Sequence, residues 1–248
     1  MTAAAGRVAV VTGAAGGIGR QFALRLAQQG FAVAIGDVRD SGHIAAEIQA
    51  RGGQAAAAYR LDVADPSAVA GFAQEVLAEF GRADVLVNNA AHFGRDSFPA
   101  LTHSLFTAVM QVNVGGPFLL SQQFLPGMLD QGWGRIVNVV SDLVARPGPG
   151  SVAYVTSKSA LVGFTRALAA EVSDRGVTVN AVAPGLTRTE TAERDLPAEA
   201  FQRVLAVQAI KRSMLPTDYV GTLAWLVSDD AATITGQTIS MGGGSLFL

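Results

Sequence analysis

The chain has 248 residues, half of them apolar and only 15% charged, with a formal net charge of −2. That balance excludes a disordered chain and leaves no basic field for nucleic acid or an anionic membrane surface. There is no cysteine, which removes disulfides, thiolate metal sites and a Cys nucleophile together, and no metal is expected.

The N-terminal stretch MTAAAGRVAV is apolar, but glycines soon interrupt it, so a secretory signal is not expected. No segment offers the roughly 18 consecutive apolar residues of a membrane span, and the expectation is a soluble, cytoplasmic protein. The first strand, RVAVVT (7–12), runs into TGAAGGIG (12–19) and then a helical segment, 19–30. FAVAIG (31–36) reads as the second strand, and a third precedes Asp62-Val63. A helical period covers 66–81, followed by the strands ADVLVN (83–88) and RIVNVV (135–140). Another helical segment, 158–176, leads to the strands TVNAVA (178–183) and QTISM (237–241). These are nearly continuous apolar runs, as strands buried on both faces require. Gly30, Gly81 and Gly176 stand where helices end.

The alternation predicts one α/β domain over 1–248, a Rossmann-like doubly wound sheet, mainly parallel and seven-stranded, with helices on both faces. The segment at about 186–215 is helical in character yet lies between a strand and the next helix, so it reads as a flap over substrate.

In the first turn, Gly13, Gly17, Ile18 and Gly19 fit a tight bend that brings backbone close to a pyrophosphate at a helix N-terminus. Asp37, at the end of the second strand, is placed to accept from ribose hydroxyls and to repel a 2′-phosphate. Arg39, two residues on, is a group that would tolerate that phosphate, so NAD is expected with NADP as the alternative. Asp62, Val63, Asn88, Asn89 and Ala90 lie at C-terminal ends of strands, where open α/β sheets bind ligands.

Taken in order, TGAAGGIG, Asp62-Val63, NNA (88–90), Asn113 in QVNV, Ser141 and YVTSK (154–158) resemble the motif series of the short-chain dehydrogenase/reductase family. Ser141 stands thirteen residues before Tyr154, the family's usual gap, and the likeness runs down to PGLTRT (184–189) and ITGQT (234–238). Stretches such as 125–138 are similar to bacterial NAD-dependent secondary-alcohol dehydrogenases of that family. Hydride exchange between an alcohol and nicotinamide needs a group that exchanges the hydroxyl proton. A free Tyr, with a pKa of about 10, is a poor base near neutrality, but an ammonium on the same helix face favours the phenolate. Tyr154 and Lys158, at i and i+4, meet that need, and Ser141 is placed to hydrogen-bond the substrate oxygen.

The resemblance further implies that Lys158 bonds the nicotinamide ribose and that Asn113 holds a relay water. It also implies that the turn with Pro184, Gly185, Thr187 and Thr189 contacts the carboxamide. The family's pairing helices correspond to 102–131 and 153–174 and imply a homotetramer; the apolar tail SLFL (245–248) suits cover at such an interface or, as the alternative, folding onto its own subunit. Two residues depart from the family pattern: Ala91 where NNAG has glycine, and Met241 where V-D-G-G has the acid.

The substrate pocket is expected among His92, Phe93, Leu143, Val144, Val152 and Leu186, with Leu196, Phe201, Val204, Leu205 and Met214 of the flap. This mainly apolar lining suits a hydrophobic secondary alcohol or ketone, aryl or alicyclic. Two alternatives stand beside the NAD-dependent alcohol dehydrogenase: an NADP-dependent 3-oxoacyl thioester reductase, and a dinucleotide-binding protein without turnover.

Overall fold

A computed structural model of the protein describes residues 6–247, so Leu248 of the apolar tail lies outside the described residues. Its strands are β1 (Val8–Thr12), β2 (Ala32–Asp37), β3 (Ala56–Arg60), β4 (Val85–Asn88), β5 (Gly134–Val139), β6 (Val177–Pro184) and β7 (Thr238–Met241). All seven pair in parallel in the order β3-β2-β1-β4-β5-β6-β7. β1 and β6 are buried at every position; β1 is an apolar run closed by Thr12, while β6 buries Thr178 and Asn180 among its apolar residues. Gly30, Gly81 and Gly176 each take positive φ just past a helical segment, as their positions suggested.

The helices that cover the sheet are α1 (Gly17–Gln28), α2 (Gly42–Ala50), α3 (Pro66–Phe80), α4 (His103–Met110), α5 (Gly116–Gln131) and α6 (Val152–Val172). One face buries Phe22 and Leu26 of α1 and Ile44 and Ile48 of α2 against Val33 and Ile35 of the sheet. The other buries Phe72 and Val76 of α3 and Leu120, Phe124 and Met128 of α5 against Leu86 and Ile136. Phe72 and Phe124 meet edge to face with centroids 6.2 Å apart, and truncating either to alanine should cost about 3–5 kcal/mol. Three further helices follow β6: α7 (Glu190–Asp195) and α8 (Ala198–Val207) form the flap, and α9 (Val220–Leu226) packs beside α1.

A π-helical turn, Gln111–Gly115, fuses α4 and α5 into one helical run, His103–Gln131. By length and composition this run could cross a membrane, although it holds no 18 consecutive apolar residues. Its apolar residues serve the fold instead: Val109, Leu120, Phe124 and Met128 are buried in the protein, and Asn113 in the π turn reaches the site. The strand order runs outward both ways from β1 and β4, so a crevice opens at their C-terminal ends.

Candidate active site

The glycine turn after β1 is held from two sides. Gly13 takes φ +66°, and a Cβ there would stand 2.7 Å from Ala90 Cα; one on Gly19 would strike Gly13 O. Asn89 Nδ2 donates to Thr12 O and Gly13 O, both at 2.9 Å. The amides of Asn89 and Ala90 both donate to Thr12 Oγ1 at 3.1 Å. Thr12 therefore welds β1 to β4, a role that its place at the head of the glycine motif could have signalled. No side chain caps α1 and its first turn carries no acid. Those free amides, with the positive end of the helix, fit a pyrophosphate.

Asp37 is buried at the end of β2, where Oδ2 accepts from Ala15 N and Oδ1 from Arg39 N, each at 2.9 Å. The acid thus shapes the glycine turn as well as facing the ribose position. Arg39 Nε lies 3.5 Å from Asp37 Oδ1, and its Nη2 would be 3.7 Å from a Cβ on Gly16. A basic group therefore does reach the glycine turn, supplied from beyond β2. Asp62 is exposed and accepts from Ala64 N, while Val63 is buried against Gly116. Asn88 turns into the sheet, donating to Asn138 Oδ1 at 2.8 Å, and Asn138 donates to Thr165 Oγ1 at 2.9 Å. It ties β4 to β5 and α6.

At the chemical end, α6 carries Tyr154 and Lys158 one turn apart, both buried. Ser141 stands near the Tyr154 phenol and favours its ionised form, and its Oγ accepts from Leu143 N at 3.2 Å. Lys158 Nζ donates to Val139 O at 2.7 Å and lies 5.7 Å from the Tyr154 ring centroid. Burial pushes the phenol above its ordinary range, Asp142 adds to this, and Ser141 and Arg95 oppose it. Burial also lowers Lys158 to about 7. The expected lowering of Tyr154 by an ammonium is therefore not what this geometry gives: desolvation governs both groups.

Asn113, fully buried in the π turn, accepts from His92 N at 2.8 Å through Oδ1. Its Nδ2 donates to His92 O and to Ser157 Oγ, both at 2.9 Å. Ser157 in turn donates to Tyr154 O at 2.7 Å, so Asn113 fixes the 92 loop against α6. Ser157, between Tyr154 and Lys158 in YVTSK, was not singled out by the sequence.

Pro184 closes β6 beside Met241, so the exchanged acid leaves the β6–β7 register intact. Thr187 is buried; its Oγ1 donates to Gly185 O at 2.9 Å and lies 2.7 Å from Tyr219 Oη. Thr189 caps α7, accepting from Ala192 N at 3.1 Å, and its methyl stands 3.4 Å from the Cβ position of Gly17. The turn 184–189 and the glycine turn thus face each other across the crevice.

Of the expected pocket residues, Phe93 stacks on Tyr154 and His92 is exposed with its backbone held by Asn113. Leu143 and Val144 form a short 3₁₀ turn capped by Ser141, Val152 is exposed at the start of α6, and Leu186 is half-buried. Leu196, Val204 and Leu205 are half-buried on the flap. Met214 is no pocket wall: it is buried in the core cluster and bridges to Thr187. Phe201 is buried under the Arg188 guanidinium, 4.8 Å from its ring centroid. Asp142, absent from the expected set, accepts from Ser245 Oγ at 2.9 Å. The C-terminal turn also takes Ile210 N on Gly243 O at 2.9 Å, fastening the flap's base. Phe247 remains 85% exposed.

Residues 7–200 match the family described as short chain dehydrogenase. The chain belongs to the short-chain dehydrogenase/reductase family. As a member it is an oxidoreductase that binds a nicotinamide dinucleotide. It is 39% identical, over 97% of both chains, to the (2S)-[(R)-hydroxy(phenyl)methyl]succinyl-CoA dehydrogenase subunit BbsD of Thauera aromatica. It is 38% identical to the 3-oxoacyl-[acyl-carrier-protein] reductase FabG of Staphylococcus aureus, over 95% of this chain and 96% of that one. Among solved structures it resembles a protein described as an NAD(P)-dependent gluconate 5-dehydrogenase from Beutenbergia cavernae, with NADP bound at low occupancy. That pair shares 40% identity over 98% of both chains with a TM-score of 0.92.

Proposed function

We propose that this short-chain dehydrogenase/reductase interconverts a hydrophobic secondary alcohol and its ketone with NAD(H). The observation that carries the reading is the convergence of Ser141, Tyr154 and Lys158 beside a glycine turn braced by the Asp37 carboxylate.

A bound nicotinamide would supply or accept the hydride. Gly13, Gly17, Ile18 and Gly19 would hold the pyrophosphate, and Asp37 the ribose hydroxyls. Tyr154 Oη gives its proton to the substrate oxygen in reduction and takes one in oxidation, while the Ser141 hydroxyl steadies charge on that oxygen. Burial keeps Tyr154 protonated, which suits donation in the reductive direction. Lys158 Nζ is held at the end of β5 within 5.7 Å of the Tyr154 ring centroid, and Asn113, tied to Ser157 of the same helix, would hold the relay water that the family pattern implies. Aryl substrate would lie against Phe93, with Leu143, Val144, Val152 and Leu186 around it.

A second reading, reduction of a 3-oxoacyl thioester with NADPH, is favoured by the Arg39 guanidinium at the glycine turn and by the likeness to FabG. A homotetramer is proposed through the α4–α5 face, where His103, Phe106, Met110 and Val114 line an apolar hollow of about 390 Å³.

The test measures NADH and NADPH affinity by their own fluorescence, because Trp133 sits at the start of β5, away from the crevice. A panel of ketones and secondary alcohols then follows NADH absorbance. Tyr154→Phe should abolish turnover while NADH still binds. Clear preference for NADPH overturns the cofactor assignment, and unchanged turnover in Tyr154→Phe overturns the mechanism.

A further inference from the structure

Tyr219 is fully buried in the core cluster shared with Phe22 and Leu26 of α1. It ends a 3₁₀ turn, Pro216–Tyr219, that packs against α1. That turn is itself fixed, since Asp218 accepts from Leu215 N at 2.7 Å and pairs with Arg212 at 2.6 and 2.7 Å. Filling the core asks only for the ring. The hydroxyl serves a separate end, for it lies 2.7 Å from Thr187 Oγ1. Thr187 gives its one hydroxyl proton to Gly185 O, so Tyr219 is the donor to Thr187. Burial raises the Tyr219 pKa, which keeps that donor proton in place.

The two ends of Tyr219 therefore touch opposite walls of the crevice. Its ring seats against α1, the helix that begins at the glycine turn, and its hydroxyl holds the turn 184–189. Thr189 of that turn faces Gly17 across the gap.

We propose that Tyr219 is a positioning residue that sets the separation of the two walls between which the dinucleotide is held. The proposal rests on reading the turn 184–189 as the nicotinamide-side wall. Without the hydroxyl the ring still packs, but Thr187 loses its donor and the turn its tether to α1. The far half of the dinucleotide would then be gripped less well, while the adenosine half, held by the glycine turn and Asp37, would not.

The experiment compares NADH and ADP binding by calorimetry in the wild type and in Tyr219→Phe. NADH binding should weaken roughly five- to tenfold and ADP binding by less than about twofold. Thr187→Val should do the same, and the double variant should be no weaker than either single one, as coupled partners require. If Tyr219→Phe does not fold, Thr187→Val carries the same comparison. Unchanged NADH affinity overturns the proposal, and so does an equal loss for NADH and ADP, which would mark a general loosening of the core. Thr189→Ala tests the reading beneath it. If that variant leaves NADH affinity untouched, the turn is not a cofactor wall, whatever Tyr219 does.

Discussion

The ring of Phe93 lies nearly flat on that of Tyr154, with centroids 4.5 Å apart and planes 12° from parallel. The loop that brings it there has little freedom. Asn113 holds His92 by both its N–H and its C=O, and Gly94 at φ +52° is seated so closely on Val109 that a Cβ would collide with it. The Arg95 guanidinium also stands 5.5 Å from the Phe93 ring centroid. Phe93 is 44% exposed, so its outer part is free to meet substrate.

An aryl substrate resting on the exposed part of the Phe93 ring would gain about 0.5–1.5 kcal/mol beyond the area it buries. Phe93→Ala should therefore raise KM for an aryl ketone several-fold with a smaller change in kcat, and Phe93→Trp should restore most of the affinity. Steady-state kinetics decide it, and a fall in kcat at constant KM would mean that the ring acts on Tyr154 rather than on substrate.

Lys158 gives a pH signature. Its folded pKa of about 7 lies below the ordinary 10.5, so between those values the unfolded chain binds more protons and stability rises with pH. Relative to Lys158→Met, the wild type should gain about 2–3 kcal/mol between pH 7 and pH 9 in urea unfolding. A gap that does not change with pH would refute the low pKa.

Asp142 should behave in the opposite sense. Burial raises its pKa, so its charge costs stability above that value, and its contribution falls as pH rises through the window from 3.8 upward. Asp142→Asn keeps an acceptor for Ser245 and should melt at or above the wild-type temperature at pH 7. That advantage should shrink as the solution is acidified toward pH 4, and scanning calorimetry across the range checks both points.

Two glycines separate crowding from propensity. Gly19→Ala would place a methyl against Gly13 O and 2.5 Å from Asn89 Nδ2, so backbone must move, at a cost of about 1–3 kcal/mol and with loss of NADH binding. Gly71→Ala, inside α3 with open space around it, should instead stabilise by up to about 1 kcal/mol. Equal effects at the two positions would show that the glycine turn tolerates a side chain.

The strands were legible because β1, β2, β5 and β6 are buried on both faces and so are mostly apolar, with a few polar residues such as Asn138 and Asn180 satisfied by hydrogen bonds. The chemical group was legible because Ser141, Tyr154 and Lys158 belong to one strand–loop–helix unit, where spacing along the chain translates into proximity. What escaped joins distant segments: Phe93 with Tyr154, Thr12 with Asn89, Thr187 with Tyr219, Asp142 with Ser245. No local pattern encodes those meetings, which the sheet order and loop packing bring about. The pKa of Lys158 was out of reach for a related reason, since charge proximity can be read from spacing but desolvation is known only once the core has closed. The helix through Asn113 was placed at 102–131 by the family resemblance and runs over His103–Gln131, although Pro117 and the glycines beside it suggest a break that a π turn bridges.

The chain contains only two side-chain amines, Lys158 and Lys211. Lys211 is exposed, with Nζ 2.9 Å from Ala206 O at the end of α8. Lys158 is sealed beneath the site, yet a pKa of about 7 leaves much of it unprotonated in neutral solution. An acylating reagent thus meets one amine that is always within reach and one that is nucleophilic but shut away. The ratio of the two labels over time is a clock for how often the candidate site breathes open.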